Sequence, residues 1–255
     1  MDKKNLPKVT IQIYRKGRQM DDGFDVIPHG TGILFQHQKM YFLISAAHNF
    51  DNEDIEGLGF LTKNKELVIF QGDLSRFSTE IPINEPADLA VFKLTKETIE
   101  DIINDGYEFL SLDDLILNKD YNPNGNYQIY GYPASKSKKN NKTKIIKRGN
   151  FYFISKKTKI PKIRNFDPVV NIPIDWHYKK LRTPNNKRVQ SCKLNGISGC
   201  GLWYECDEGV KLVGIMISYN KIHSFILGSI IDLATEIIRK KFIPSFPQTK
   251  LIKFK

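Results

Sequence analysis

Gly30-Thr31-Gly32-Ile33-Leu34-Phe35-Gln36-His37-Gln38-Lys39-Met40-Tyr41-Phe42-Leu43-Ile44-Ser45-Ala46-Ala47-His48-Asn49 is the stretch on which the fold turns. A Pro-His-Gly turn leads into residues 30–35, which read as a strand. Residues 40–45 form a second strand, apolar and rich in aromatic and β-branched side chains. The four residues between them, 36–39, suit a hairpin loop, so the two strands pair antiparallel. The second strand ends in small residues and then His48. Small side chains let the backbone at that histidine pack tightly beneath a cleft.

The same short-strand texture recurs outward from this hairpin. Residues 9–14 alternate as a strand, and 67–71 and 89–94 are further candidates. Residues 95–105 have helical spacing with Ile99, Ile102 and Ile103 on one face, as a linker helix or a loop with one turn. In the second half, strands are predicted over 127–132, in two runs within 144–157, and over 169–174, 201–204, 210–218 and 223–227. Residues 229–241 predict a C-terminal helix. Ile230, Leu233, Ile237 and Ile238 form its buried stripe, Ser229 is its N-cap, and Arg239, Lys240 and Lys241 suit the negative end of its dipole. Many short strands with turn signals predict barrels or a sandwich. There is no internal repeat, and two halves meet within residues 95–125.

The 255 residues suffice for one large β domain or two small ones, and 40% hydrophobic content supports a core. A net charge of +11 and a pI near 9.4 favour acidic partners without choosing among nucleic acid, anionic membrane and acidic polypeptide. The N-terminal residues carry charge with no apolar run behind them, and no stretch approaches the roughly 20 apolar residues of a membrane helix. A soluble, cytoplasmic protein with no membrane association is the expectation. The odd set Cys192, Cys200 and Cys206 agrees, and without a C-x-x-C pair it predicts no metal.

Three further stretches carry chemistry. Gly196-Ile197-Ser198-Gly199-Cys200-Gly201 brackets a serine with glycines that permit an unusual backbone path. Such a path can aim the Gly196 and Ser198 amides at one point near the hydroxyl, as an oxyanion hole requires. Read alone, this is a glycine-rich turn, but Leu202-Trp203-Tyr204 continues it as a buried strand. Asp88 opens the apolar run Leu89-Ala90-Val91-Phe92, where a half-buried carboxylate needs a partner. A histidine N–H is one such partner. His48, Asp88 and Ser198 together supply the base, the orienting acid and the nucleophile of acyl transfer. His29, His37, His177 and His223 lack the setting of His48.

The order His48, Asp88, Ser198, with separations of 40 and 110 residues, resembles the chymotrypsin-like serine protease family. Residues 30–49 resemble its "G-S-G … T-A-A-H" stretch, Ala87-Asp88-Leu89-Ala90 its "D-I-A-L" strand, and residues 196–201 its "G-D-S-G-G-P" loop. Tyr130-Gly131-Tyr132-Pro133 resembles the "G-Y-P" of bacterial HtrA-type and glutamyl endopeptidases, and Leu212-Val213-Gly214-Ile215 the strand after the nucleophile. The resemblance implies an all-β fold of two six-stranded antiparallel barrels with the active-site cleft between them and a C-terminal α-helix. Residues 1–110 would form the barrel carrying His48 and Asp88, and 111–255 the barrel carrying Ser198.

By the same resemblance the chain is an endopeptidase working through an acyl-enzyme, with a polypeptide substrate and no cofactor. Ile197 stands where many secreted relatives have the aspartate that pairs with a new N-terminus, so that activation route is expected to be absent, and the protein is either constitutively competent or gated by a regulatory protein partner or a loop. Cys200 and Gly201 also depart from the pattern. Cys192, Met216, Ile217, Ser218 and His223 are expected at the specificity pocket, whose wall draws on residues 190–194, 216–220 and 223–225. No carboxylate lies near Cys192, which argues against lysine or arginine substrates, and no histidine replaces Met216 as in glutamyl endopeptidases. An apolar or medium-sized side chain is the expectation. The lysine-rich residues 136–148 read as a solvated loop or as a contact for nucleic acid or another acidic partner, with few aromatics for base stacking. The alternative to an active protease is an inactive protease-fold module that binds a peptide or acidic partner through the same cleft.

Overall fold

The computed structural model describes residues 1–2, 5–20, 23–51, 55–77, 87–139, 146–147, 149–159, 166–177, 181–183, 185, 187–188 and 192–251. A short helix α1 (Leu6–Val9) leads into β1 (Thr10–Met20), β2 (Gly23–His37), β3 (Met40–Ser45), β4 (Leu58–Leu61), β5 (Leu67–Ile69), β6 (Gly72–Arg76) and β7 (Ala90–Leu94). Helix α2 (Lys96–Asn104) ends this half. The second half holds β8 (Asn126–Gly131), the short pair β9 (Lys138–Lys139) and β10 (Ile146–Lys147), then β11 (Phe151–Lys156), β12 (Asn171–Asp175), β13 (Gly201–Cys206), β14 (Gly209–Asn220), β15 (Phe225–Ile230) and α3 (Asp232–Lys241).

These strands make two antiparallel sheets, of seven strands in the order β5-β4-β1-β2-β3-β7-β6 and of six in the order β11-β8-β13-β14-β15-β12. Connectivity makes each sheet curl. The edge strands β5 and β6 are joined by only Phe70 and Gln71, so the first sheet must bring its two edges together. In the second, a bridge between Lys157 and Ile174 and the Thr158 amide on the Pro173 carbonyl (3.0 Å) draw the β11 and β12 edges toward each other. The chain is thus mostly β, as expected, with seven strands in the first sheet where six were expected.

Each sheet closes over apolar side chains. Ile11, Ile13, Leu34, Leu43, Phe60 and Phe92 fill the first. A larger cluster runs from Phe35 and Phe42 of the first sheet through Tyr127, Phe153, Leu202 and Trp203 of the second to Leu233 and Ile237 of α3. In β11, Phe151, Phe153 and Ser155 point inward while Tyr152 and Ile154 are only half-buried, the period-2 alternation of a sheet with one packed face.

Several boundaries differ from the sequence reading. Strand β1 runs on past Tyr14 to Met20, because pairing with β2 needs only backbone and the polar residues 15–19 carry no hydrophobic alternation. The hairpin loop shortens to Gln38 and Lys39, both at positive φ (48° and 63°), the two-residue turn whose twist matches its flanking strands. Helix α2 forms with Thr95 at its N-cap, and Ile102 is buried, but Ile103 is 49% exposed. Ser229 belongs to β15 and caps nothing. Helix α3 begins at Asp232, a buried carboxylate that accepts from the Asn118 amide (2.7 Å) and the Thr249 hydroxyl (2.6 Å).

Candidate active site

Sheet register brings Asp88 to His48. Strands β3 and β7 pair with Ser45 opposite Ala90, so the residues just beyond β3 and just before β7 leave the sheet side by side. The Ala47 amide donates to the Asp88 carbonyl (3.2 Å). Residues Ala47–Phe50 then form a single 3₁₀ turn that projects His48. The Asp88 carboxylate accepts twice from His48: from its backbone N–H at Oδ1 (2.9 Å) and, through a very short bond, from its ring at Nδ1. The ring is thereby oriented, with Nε2 turned away from the carboxylate. Hydrogen bonding to Asp88 raises the His48 pKa above the ordinary imidazole range, against the opposing effect of burial, and the charges of Asp88 and Asp51 add to it. Arg76 of β6 grips the same turn through Asp51 and the Phe50 carbonyl.

The loop carrying Ser198 is anchored to the first sheet. The Thr31 amide and the Asn49 side-chain amide both donate to the Ser198 carbonyl, at 3.0 and 2.9 Å. Asn49 is buried and also donates to the Ser45 hydroxyl (2.9 Å), which donates to the Thr31 carbonyl (2.7 Å). The Thr31 hydroxyl reaches the Gly196 carbonyl (3.1 Å) and accepts from the Tyr132 amide (3.2 Å). His29 closes the back of this network, its Nε2 bonding the Asn49 carbonyl (2.9 Å), and burial holds its pKa low. Ser198 therefore sits one residue's reach from the turn that carries His48. Among the described residues no hydrogen bond joins the Ser198 hydroxyl to His48.

Glycine is required in this loop. Gly199 has φ +91°, and a Cβ there would lie 1.9 Å from the Thr31 carbonyl oxygen and 2.1 Å from the Ser45 hydroxyl. Gly196 has φ +82°. Amide usage in the loop is uneven. Ile197, Gly199 and Cys200 donate to the carbonyls of Leu194, Met216 and Ile197. Among the described residues, the Gly196 and Ser198 amides have no protein acceptor. The Asn195 carbonyl is occupied by the Ala134 amide (2.7 Å), and a planar trans peptide turns the Gly196 N–H the opposite way.

Much of the expected wall recurs around a cavity, in Cys192, Lys193, Leu194, Tyr219 and Ser224, but most of the individual pocket residues do not. A cavity of about 400 Å³ lies beside the loop, lined by Trp176, Cys192, Lys193, Leu194, Tyr219, Lys221 and Ser224. Of the five residues expected there, Cys192 alone lines it. Met216 is fully buried with its sulfur 3.8 Å from the Cys200 sulfur, and Ile217 packs with Ala46, Phe225 and Leu227 at the seam between the sheets. Ser218 is exposed, and His223 sits in an exposed turn with its amide on the Asn220 side chain (2.9 Å). The cause is a bulge in β14: Met216 pairs with Gly228 and Ser218 with Leu227, which leaves Ile217 as an extra residue and shifts the alternation. Gln190, Ser191 and most of the lysine-rich segment, residues 140–145 and 148, lie outside the described residues.

Two curled antiparallel sheets followed by a C-terminal helix resemble a chymotrypsin-like fold. Comparison with solved structures finds many similar chains. A solved structure from work reported as "Aromatic interactions drive the coupled folding and binding of the intrinsically disordered Sesbania mosaic virus VPg protein" is similar over 91% of this chain and 89% of that one, with a TM-score of 0.46 and 12% identity. No family model matches the chain, and no curated protein matches it.

Proposed function

We propose that the chain is a serine endopeptidase in which Ser198 is the nucleophile, His48 the general base and Asp88 the group that orients the base. The observation that carries this reading is the doubly bonded Asp88–His48 pair, which fixes the imidazole by its Nδ1 and leaves Nε2 for proton transfer. Ser198 Oγ attacks the scissile carbonyl as Nε2 takes its proton. The same proton then passes to the leaving amine, and water repeats the sequence to release the acyl group. The uncommitted amides of Gly196 and Ser198 hold the oxyanion. Contact between hydroxyl and imidazole tightens when substrate excludes water, as resting sites of this type commonly show longer bonds. No cofactor enters these steps. Three free cysteines support work in a reducing compartment such as the cytoplasm.

A fluorophosphonate probe tests the proposal directly. One covalent adduct on the whole protein, absent in Ser198→Ala and in His48→Ala, is the expected result. An unlabelled but folded wild-type protein would replace this reading with the inactive module that binds peptide or an acidic partner through the cleft.

A further inference from the structure

We propose that the cavity beside Ser198 selects an acidic side chain, glutamate or aspartate, on the acyl side of the cleaved bond. The proposal rests on the protease reading and names its substrate class. Adjacency comes from the backbone: the wall residues Cys192, Lys193 and Leu194 run directly into the Ser198 loop, and the Leu194 carbonyl accepts from the Ile197 amide at 3.0 Å. Tyr219, on another wall, lies three residues beyond Met216, whose carbonyl holds the Gly199 amide at 2.7 Å.

The lining has a definite chemistry. Trp176 and Leu194 are buried and offer apolar walls for methylenes. Cys192 and Ser224 are small and polar, and the exposed side chains Lys193, Lys221 and Tyr219 bring two ammonium groups and a phenol. Ser224 is held at φ +53° with its carbonyl on the Trp176 amide (2.8 Å). Lys136 adds a further positive charge close enough to oppose the burial that pushes the Cys192 thiol up. None of the described lining residues is a carboxylate that would balance these charges. From Trp176 to Tyr204 the sequence holds six lysines and arginines and no acidic residue, and from Gly209 to Ile231 it holds two lysines and none. Asp175, just outside, is engaged by the His177 ring. A side chain entering here meets apolar walls and net positive potential. That favours Glu over its isostere Gln and disfavours Lys or Arg.

Exposed ion pairs are individually weak, so the selectivity should be moderate and salt-sensitive. Two such pairs give about 5- to 10-fold for Glu over Gln at low ionic strength. The experiment uses the full chain with Ser198→Ala, titrated by NMR at the Trp176 indole N–H with acetylated tripeptides ending in Glu, Gln, Leu or Lys. Glu binding tightest, with the Glu/Gln ratio falling to about one in Lys193→Ala/Lys221→Ala, supports the inference. Gln or Leu binding as well as Glu overturns it, as does a Glu preference that survives the double substitution. Because this binding needs no turnover, it fails separately from the protease reading, which stands or falls on fluorophosphonate labelling of the wild-type chain.

Discussion

Asp88 concentrates the chemistry of the site in one carboxylate, and the substitution Asp88→Asn separates its two tasks. The carboxamide so introduced keeps an oxygen for the His48 backbone N–H but can present its NH₂ to Nδ1. The ring then adopts the tautomer with its proton on Nε2, where it cannot accept one from Ser198. Turnover of a peptide substrate should fall about 10³- to 10⁴-fold in Asp88→Asn, measured as kcat/KM. The pH profile carries an independent sign. Asp88 raises the His48 pKa, and the base works only when neutral, so wild-type activity should rise with pH through a midpoint above about 6.5. In Asp88→Asn the largest raising influence is gone and burial remains, so the midpoint should move to lower pH. A midpoint that stays put would show that His48 is not the titrating group. The linked stability runs the other way: the charged pair stabilises the fold fully below the unfolded-state imidazole pKa, and that contribution is lost as pH rises through the raised folded value. At this scale the motifs around His48, Asp88 and Ser198 were local enough to be read, and the structure brings Asp88 onto the His48 ring and the Ser198 carbonyl onto Asn49. The wall segments around Cys192, Tyr219 and Ser224 could be read as well, but not which side chains of β14 face the cavity, because the bulge at Ile217 shifts the alternation after it and nothing in residues 214–220 announces a bulge.

The element that aligns the two halves is the 3₁₀ turn Ala47–Phe50, through Asn49. Its side-chain amide spends one hydrogen on Ser45 within the first sheet and the other on the Ser198 carbonyl in the loop that leads into β13 of the second. Asn49→Leu keeps the branched heavy-atom skeleton, with bulkier methyls at its tips, and removes both bonds inside a buried network. The Thr31 amide still reaches the Ser198 carbonyl, so the loss in stability should be about 1–3 kcal/mol, read by urea denaturation. Fluorophosphonate labelling of Ser198, measured well below the unfolding midpoint, should slow as the loop loses its fixed position. An unchanged labelling rate in a measurably destabilised protein would assign Asn49 to stability alone. Gly199→Ala is more severe, since φ +91° and a carbonyl oxygen 1.9 Å from the new methyl both oppose it. Element boundaries were less legible than the site. The hairpin of β2 and β3 could be read from its apolar pattern. Strand β1 extends beyond its apolar pattern because residues 15–19 pair through backbone alone. The start of helix α3 is ambiguous in sequence because Ser229-Ile230-Ile231 suits a buried strand end as well as a first helical turn.

At the scale of the whole molecule, the C-terminal segment ties the sheets into one cooperative unit. Helix α3 follows β15 of the second sheet, yet Phe242 just beyond it packs on Phe42 of the first (ring centroids 5.6 Å apart), and Phe246 meets Phe35 and His37 at 6.2 and 4.6 Å. Phe246 is 2% exposed and belongs to the same apolar cluster as Trp203 and Tyr127 of the second sheet. A cluster shared in this way cannot be dissolved in one half while it persists in the other. Phe246→Ala should therefore cost about 3–5 kcal/mol, the usual range for emptying a buried aromatic position. Native-state hydrogen exchange can locate that cost. Protection should drop together at Leu34 and Phe42 in the first sheet and at Leu202 and Trp203 in the second, by a common factor of about 100 or more. A loss confined to α3 and its tail would mean that the segment is only an appendage, and that the site's alignment rests on the Thr31, Asn49 and Ser198 bridge alone.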